Sequence, residues 1–116
     1  MAISVGTTRQ ALADAYKAQG SWLNACPTNP GTTATPASEA AGGSPANARK
    51  QTVWTSQTNG VVTGSAVTVD VAPTVYQWIL LAAAASGNNM VDSADVVDVT
   101  MSAQGQIVIT PTYTQT

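Results

Sequence analysis

Residues 67–84 read VTVDVAPTVYQWILLAAA, and this stretch decides the fold class. Its first part alternates valine with threonine or aspartate, the pattern of a strand with one buried face. Pro73 interrupts that strand, because proline cannot donate a hydrogen bond within a sheet. Residues 75–84 are apolar at nearly every position, which is typical of a central strand covered on both faces. The stretch therefore predicts a mainly β protein.

Segments on either side of this stretch carry further strand signals. Residues 51–55 form a short β-type segment, and Asn59-Gly60 is a hairpin signal. Beyond the turn at residues 86–89, the sequence from Ile107 to Tyr113 alternates between the two faces of a strand. We predict about six to eight strands over residues 49–116, forming an antiparallel sandwich or a flattened barrel.

One short helix is predicted near the N-terminus, over residues 7–20. Leu12 and Tyr16 fall four residues apart on one helical face, among several alanines. Thr7 or Thr8 is expected to cap the helix, Thr7 with Gln10 at the spacing of a capping box, and a glycine ends it. So few large apolar residues predict a helix that covers a small patch on one edge of the strands.

A long loop is predicted over residues 27–48, where proline, glycine and threonine are abundant. Loops of this length inside a compact domain are uncommon and are usually functional or disordered. We expect either a flexible extended loop or an arm that lies across a neighbouring molecule. At 116 residues, the chain is expected to form a single domain over residues 1–116.

Charged residues are scarce and unevenly placed along the chain. They make up 9% of the sequence, and all four lysines and arginines lie in the first 50 residues. The charged residues within 51–116 are all aspartates. Sparse charge indicates a surface that faces other protein, and regions of opposite charge can orient identical copies. We predict homo-oligomers, with a trimer favoured. The candidate interface residues are Arg9, Arg49, Lys50, Trp54, Asp92, Asp95 and Asp98.

No catalytic or cofactor-binding residues are predicted. The chain contains no histidine, which excludes Ser-His-Asp and Cys-His arrangements. Cys26, the single cysteine, is expected to be a small core residue. The three aspartates at positions 92, 95 and 98 could surround a calcium ion only if the backbone curled there. They are predicted instead to form a solvated acidic face or to pair with Arg9, Arg49 or Lys50 of another copy. The sequence therefore favours a protein that is not an enzyme.

The aromatic residues admit a carbohydrate-binding module as a lesser alternative. Three tryptophans and three tyrosines are present, and phenylalanine is absent. Since these rings must fill the core, Trp22 and Trp78 are expected to be buried, whereas Trp54 is the expected interface ring. A sugar-binding platform would instead require exposed, coplanar rings.

Nucleic acid and membrane are not expected partners. Four basic residues without a basic run are too few for a nucleic-acid footprint. The longest apolar stretch, residues 75–85, contains a glutamine and is too short to span a bilayer. The N-terminus lacks the basic start and apolar run of a signal peptide, so synthesis and folding in the cytoplasm are expected.

The order of these features resembles a family of small structural proteins of actinobacterial phages, often described as tail fibre or minor structural proteins. After the helix come NPGTT at residues 29–33 and EAAGGS at residues 39–44. A basic residue and a short aromatic strand follow at residues 49–55, and an apolar strand ends in AASG within residues 78–87. The resemblance covers most of the chain from about residue 7 onward.

This resemblance implies a virion component with no enzyme activity and no cofactor. Two placements are compatible with it. A head decoration or minor capsid protein would dock on major capsid subunits and stabilise the lattice. A tail or fibre-associated protein would instead join a ring or an adhesin. The sparse charge and the long loop favour the head.

Overall fold

The computed structural model describes residues 2–116 and is mainly β, with 40% of residues in strands and 12% in one N-terminal helix. This confirms the predicted fold class. The elements in chain order are α1 (Gly6–Gln19), β1 (Trp22–Cys26), β2 (Lys50–Gln51), β3 (Trp54–Ser56), β4 (Val61–Gly64), β5 (Val67–Val71), β6 (Val75–Ala82), β7 (Met90–Thr100), β8 (Gly105–Ile109) and β9 (Thr112–Thr114).

The strands form three antiparallel sheets. A four-stranded sheet has the order β2-β1-β6-β7, a three-stranded sheet has the order β3-β4-β9, and β5 pairs with β8. The molecule is elongated, with principal extents of 47 × 25 × 24 Å. The arrangement is compatible with a sandwich or flattened barrel, and β7 and β2 are the two edges of its largest sheet.

β6 is the central strand that its apolar sequence predicts. Leu80 belongs to a small cluster and Leu81 to a large cluster, as expected of neighbours on opposite sides of a strand. The small cluster contains Cys26, Leu80 and Ala82. The large cluster contains Leu23, Ala25, Ala40, Val67, Val69, Val71, Tyr76, Leu81 and Ile109. Tyr76 also belongs to the large cluster, and it lies beside a register shift where one residue of β6 faces three residues of β7.

Helix α1 lies against β3 and β4. The predicted threonine cap is wrong, since the N-cap residue is Val5 and no side chain caps the helix. Gln10 instead connects the helix to the β3–β4 hairpin, where its side-chain oxygen accepts hydrogen bonds from the backbone of Gly60 and Val61. Tyr16 stacks on Tyr113 of β9, with ring centroids 3.6 Å apart and planes 8° apart.

Residues 27–48 form a loop without helix or strand, as predicted, but the loop lies on its own subunit. Ala40 donates a backbone hydrogen bond of 2.9 Å to Ala25 of β1, and Pro30 is fully buried. The backbone amide of Met90 in β7 donates to Ala34 at 3.0 Å. These contacts fasten the loop to its own chain, and its contact with a neighbouring molecule stays a prediction.

Two segments that the sequence pattern predicts as single strands are each divided between two sheets. The C-terminal pattern breaks at Pro111 into β8 and β9, because proline has no amide to continue the ladder. The segment around Trp54 breaks into β2 and β3 at Thr52, whose amide donates to Ser21. Alternation alone predicts neither break.

Candidate interaction surface

The outer strand of the four-stranded sheet, β7, is covered over only part of its length. The backbone hydrogen bond between Ala34 and Met90 anchors the long loop beside the start of the strand, and a narrow cleft separates residues 31–34 from residues 90–93. From Ala94 to Thr100 every residue is exposed. We call residues 94–100 the open edge.

The open edge is unusually apolar for an exposed strand. Val97 is 89% exposed, and Val96 and Val99 are each 38% exposed. Unpaired edge strands present free backbone donors and acceptors, and proteins ordinarily blunt or cover them. A long, apolar and partly uncovered edge is therefore the strongest candidate for a contact surface in residues 2–116.

The aspartates that were predicted to form one acidic face do not all lie on the same side of β7. Asp92 pairs in register with Leu81 of the large cluster, whereas Asp95 pairs with Trp78, which packs on the small cluster. The two carboxylates therefore lie on opposite sides of the sheet, and Asp92 accepts a hydrogen bond of 2.7 Å from the Tyr16 hydroxyl. Within residues 2–116, no group of three potential ligands is placed to hold a metal ion.

The opposite edge of the same sheet carries the other sign of charge. Lys50 and Gln51 of β2 are both exposed, and Val53 just beyond them is 71% exposed. We call residues 50–53 the basic edge. The sequence indicated this charge asymmetry, but the topology places the two charges at opposite ends of one sheet.

Arg49 faces inward, which corrects its prediction as an interface residue. Its side chain is 4% exposed, and its Nε lies 2.8 Å from a carboxylate oxygen of Glu39. The guanidinium also donates to the backbone oxygens of Ala84 and Gly87 and to the side chain of Asn89. Because all of these partners belong to the same chain, Arg49 joins the long loop to the β6–β7 turn.

Glu39 is held in its charged form by this network. Burial alone would raise the pKa of Glu39, but hydrogen bonds from Arg49 and Asn24 and the arginine charge outweigh it and lower the pKa. Asn24 is itself buried and contacts Asn47 as well. The loop is thus fastened to β1 by polar contacts that the sequence pattern did not indicate, since Glu39 and Arg49 lie in a region with loop composition.

Acid should weaken the fold through Glu39. Its pKa is lowered on folding, so the stabilisation is present above its unfolded value of 4.5 and is lost as the pH falls through the folded pKa. Glu39→Gln should therefore reduce stability at neutral pH and flatten its decline in acid. Urea unfolding across a pH series measures this. The pKa of Asp14 is also lowered, chiefly by a hydrogen bond from Ser56. The stability of Glu39→Gln should therefore still decline slightly as the pH falls. Parallel curves for the two proteins would contradict the assignment.

Arg9 also makes its contacts within the subunit. It is half-buried, and its Nε donates to the backbone oxygen of Asn59 at 3.1 Å. A second guanidinium nitrogen donates to the backbone oxygen of Ile3. Arg9 therefore links the segment before α1 to the β3–β4 hairpin.

Trp54, the predicted interface ring, is half-buried and bound within the chain. Its indole nitrogen donates to the backbone oxygen of Gly20 at 2.8 Å, and its ring meets Tyr16 edge-on with centroids 6.4 Å apart. Both rings line a cleft of about 260 Å³ that also includes Ile79, Asp92 and Pro111. Burial, followed by the hydrogen bond to Asp92, raises the pKa of Tyr16.

The remaining core predictions hold in part. Cys26 is fully buried, and burial, followed by the charge of Glu39, raises the pKa of its thiol to about 12. A thiol that stays protonated at neutral pH is a poor nucleophile. Trp22 and Trp78 pack against the small cluster but are only half-buried, which corrects the expectation of full burial.

No protein-family model, no curated protein and no solved structure matches the chain. Among residues 2–116, no helix combines the length and apolar character needed to cross a membrane.

Proposed function

We propose that the chain is a non-enzymatic structural protein of a phage particle, a head decoration or minor capsid protein that docks on the capsid lattice and stabilises it. The observation that carries the proposal is the open edge of β7. A strand with exposed valines and unpaired backbone groups is suited to binding another protein through strand addition.

The composition and the resemblance support the same proposal. With 9% charged residues, the surface relies on threonine, serine and small apolar groups. Surfaces of this kind are better suited to lasting burial in an assembly than to a free monomer. The order of the motifs in residues 29–87 resembles that of small phage structural proteins and supports a place in a phage particle. The expected partners are copies of the chain and the major capsid protein, and the expected location is the virion, after synthesis in the host cytoplasm.

A tail or tail-fibre position is the alternative placement. The elongated shape, 47 Å long and about half as wide, suits a component of a ring or fibre. The two placements differ in the number of copies that each particle holds.

Quantitative mass spectrometry of purified particles tests the proposal. A head decoration protein should occur at about one copy per capsid subunit, or one trimer per local threefold position. A much smaller number, sufficient for a single ring or fibre, would place the chain on the tail. Absence from the particles would overturn the structural proposal.

A matched pair of variants connects this measurement to the open edge. Val97→Asp adds a charge at an exposed apolar position and should lower the number of copies per particle. Thr58→Asp adds the same charge at an exposed turn outside β7 and should leave incorporation unchanged. Equal incorporation of both variants would show that the open edge is not needed for assembly into the particle.

A further inference from the structure

The largest sheet ends in two exposed edges whose charges have opposite sign. The open edge of β7 carries Asp95 and Asp98, and the basic edge carries Lys50. We propose that the open edge of one copy binds the basic edge of a second copy, so that subunits associate head to tail through a shared β interface. This inference rests on the proposed function, since it names the contact by which copies of the virion protein would associate.

The charges of the described residues favour this pairing over other contacts between copies. Arg49 is buried against Glu39, Arg9 is bound to the backbone of its own chain, and Lys17 lies on helix α1 rather than on a strand. Lys50 is the lysine that is exposed on a sheet edge. It is therefore the basic group best placed to meet Asp95 or Asp98 of another subunit.

A symmetric contact between two β7 strands is disfavoured by the same charges. Pairing two open edges would bring Asp95 and Asp98 of one copy beside those of the other. Like charges across neighbouring strands are destabilising. The basic edge, by contrast, offers an opposite charge at Lys50 and an extended backbone at Lys50 and Gln51, while the backbone of Val53 is already bonded to Ser65.

Apolar groups are present on both edges. Val97, at 89% exposure, is the most exposed of the large apolar residues, and Val53 on the basic edge is 71% exposed. Burying such side chains would supply attraction that does not depend on salt, while the charges would select the partner and its orientation. The contact would therefore combine strand pairing, valine burial and opposite charge.

A contact between two different edges has a defined consequence for assembly. Each copy would use one edge to bind the copy before it and the other edge to bind the copy after it. Such heterologous contacts close into rings when the rotation between copies permits, and a ring of three is the smallest that this pattern forms. The predicted trimer is compatible with this geometry.

Charge exchange on the two edges tests the proposal in the purified chain. Asp95→Lys with Asp98→Lys makes both edges basic, and Lys50→Glu makes both edges acidic. Each variant alone should associate about tenfold more weakly than the wild-type chain, measured by sedimentation. Mixing the two variants should restore association, because the positively charged edges of one variant then meet the negatively charged edges of the other. A chain carrying all three substitutions should also associate.

Neutral variants distinguish the alternatives. Asp95→Asn with Asp98→Asn should weaken association under this proposal, whereas it should strengthen a symmetric β7 contact or unprotected edge aggregation. That strengthening, or a lack of any effect of Lys50→Glu, would overturn the head-to-tail contact. Far-ultraviolet circular dichroism should remain unchanged, because all three residues are exposed.

The outcome is separable from that of the proposed function. A wild-type chain that remains monomeric at micromolar concentrations would overturn the head-to-tail contact. Its presence in particles would still be decided by the copy-number measurement.

Discussion

Replacing Arg49 with methionine should lower the free energy of unfolding by about 3 kcal/mol. The guanidinium makes five hydrogen bonds, two to Glu39 and the others to Ala84, Gly87 and Asn89. Methionine fills similar space but provides no donor, so the carboxylate of Glu39 loses its cation. The side chain of Glu39 is 24% exposed, and water can therefore reach it, which places the expected loss at the low end for buried ion pairs.

The neighbouring lysine provides the control for this measurement. Lys50→Met removes the same charge one residue later, from an exposed position, and should change the stability by less than about 0.5 kcal/mol. Chemical unfolding of the two variants measures the difference. Equal losses would show that the internal network contributes no more than an exposed charge does.

Leu80→Ala should cost about 3 kcal/mol, because it removes a large side chain from a site with no exposure. Leu80 lies in the central strand between β1 and β7, paired with Asn24 and Ser93. The backbone on both sides limits how far the surroundings can close around the cavity. Thermal or urea unfolding should show the loss without a change in secondary structure before the transition.

Val97→Ala is the matched control for the core substitution. It also shortens an aliphatic side chain in the same sheet, but at a site that is 89% exposed, and should change the stability by less than about 0.5 kcal/mol. A loss similar to that of Leu80→Ala would show that Val97 is buried in the folded protein in solution, for instance by association between copies.

The local sequence pattern was sufficient to predict the helix and the strand-rich segments, but it predicted neither the breaks at Thr52 and Pro111 nor the polar partners. The run over residues 75–84 indicates a two-sided strand because periodicity records burial directly. The predicted helix over residues 7–20 differs from α1 by one residue at each end. Its cap was wrong because Gln10 turns to the hairpin, a long-range contact that local motifs do not record.

Some of the residues predicted for the interface have partners in their own chain, and the local sequence does not indicate which. Scarce charge led to the prediction that the charged residues contact other molecules, but it does not say which of them have partners in the same chain. Arg49 and Lys50 are adjacent in sequence, yet one is buried and the other exposed. The difference follows from the partners of Arg49, which are Glu39 on the long loop and the turn between β6 and β7. Asp92 likewise acquires a partner from α1, 76 residues earlier in the chain.

The hydrogen bond between Ala34 and Met90 also bears on the head-to-tail contact proposed above. By covering the beginning of β7, the loop limits the strand available to a second copy to its second half. Under that proposal, the shorter contact would dissociate more readily than a full-length one, so a wrongly placed copy would be able to leave and rebind. A shortened loop would expose more of β7 and make such errors harder to reverse.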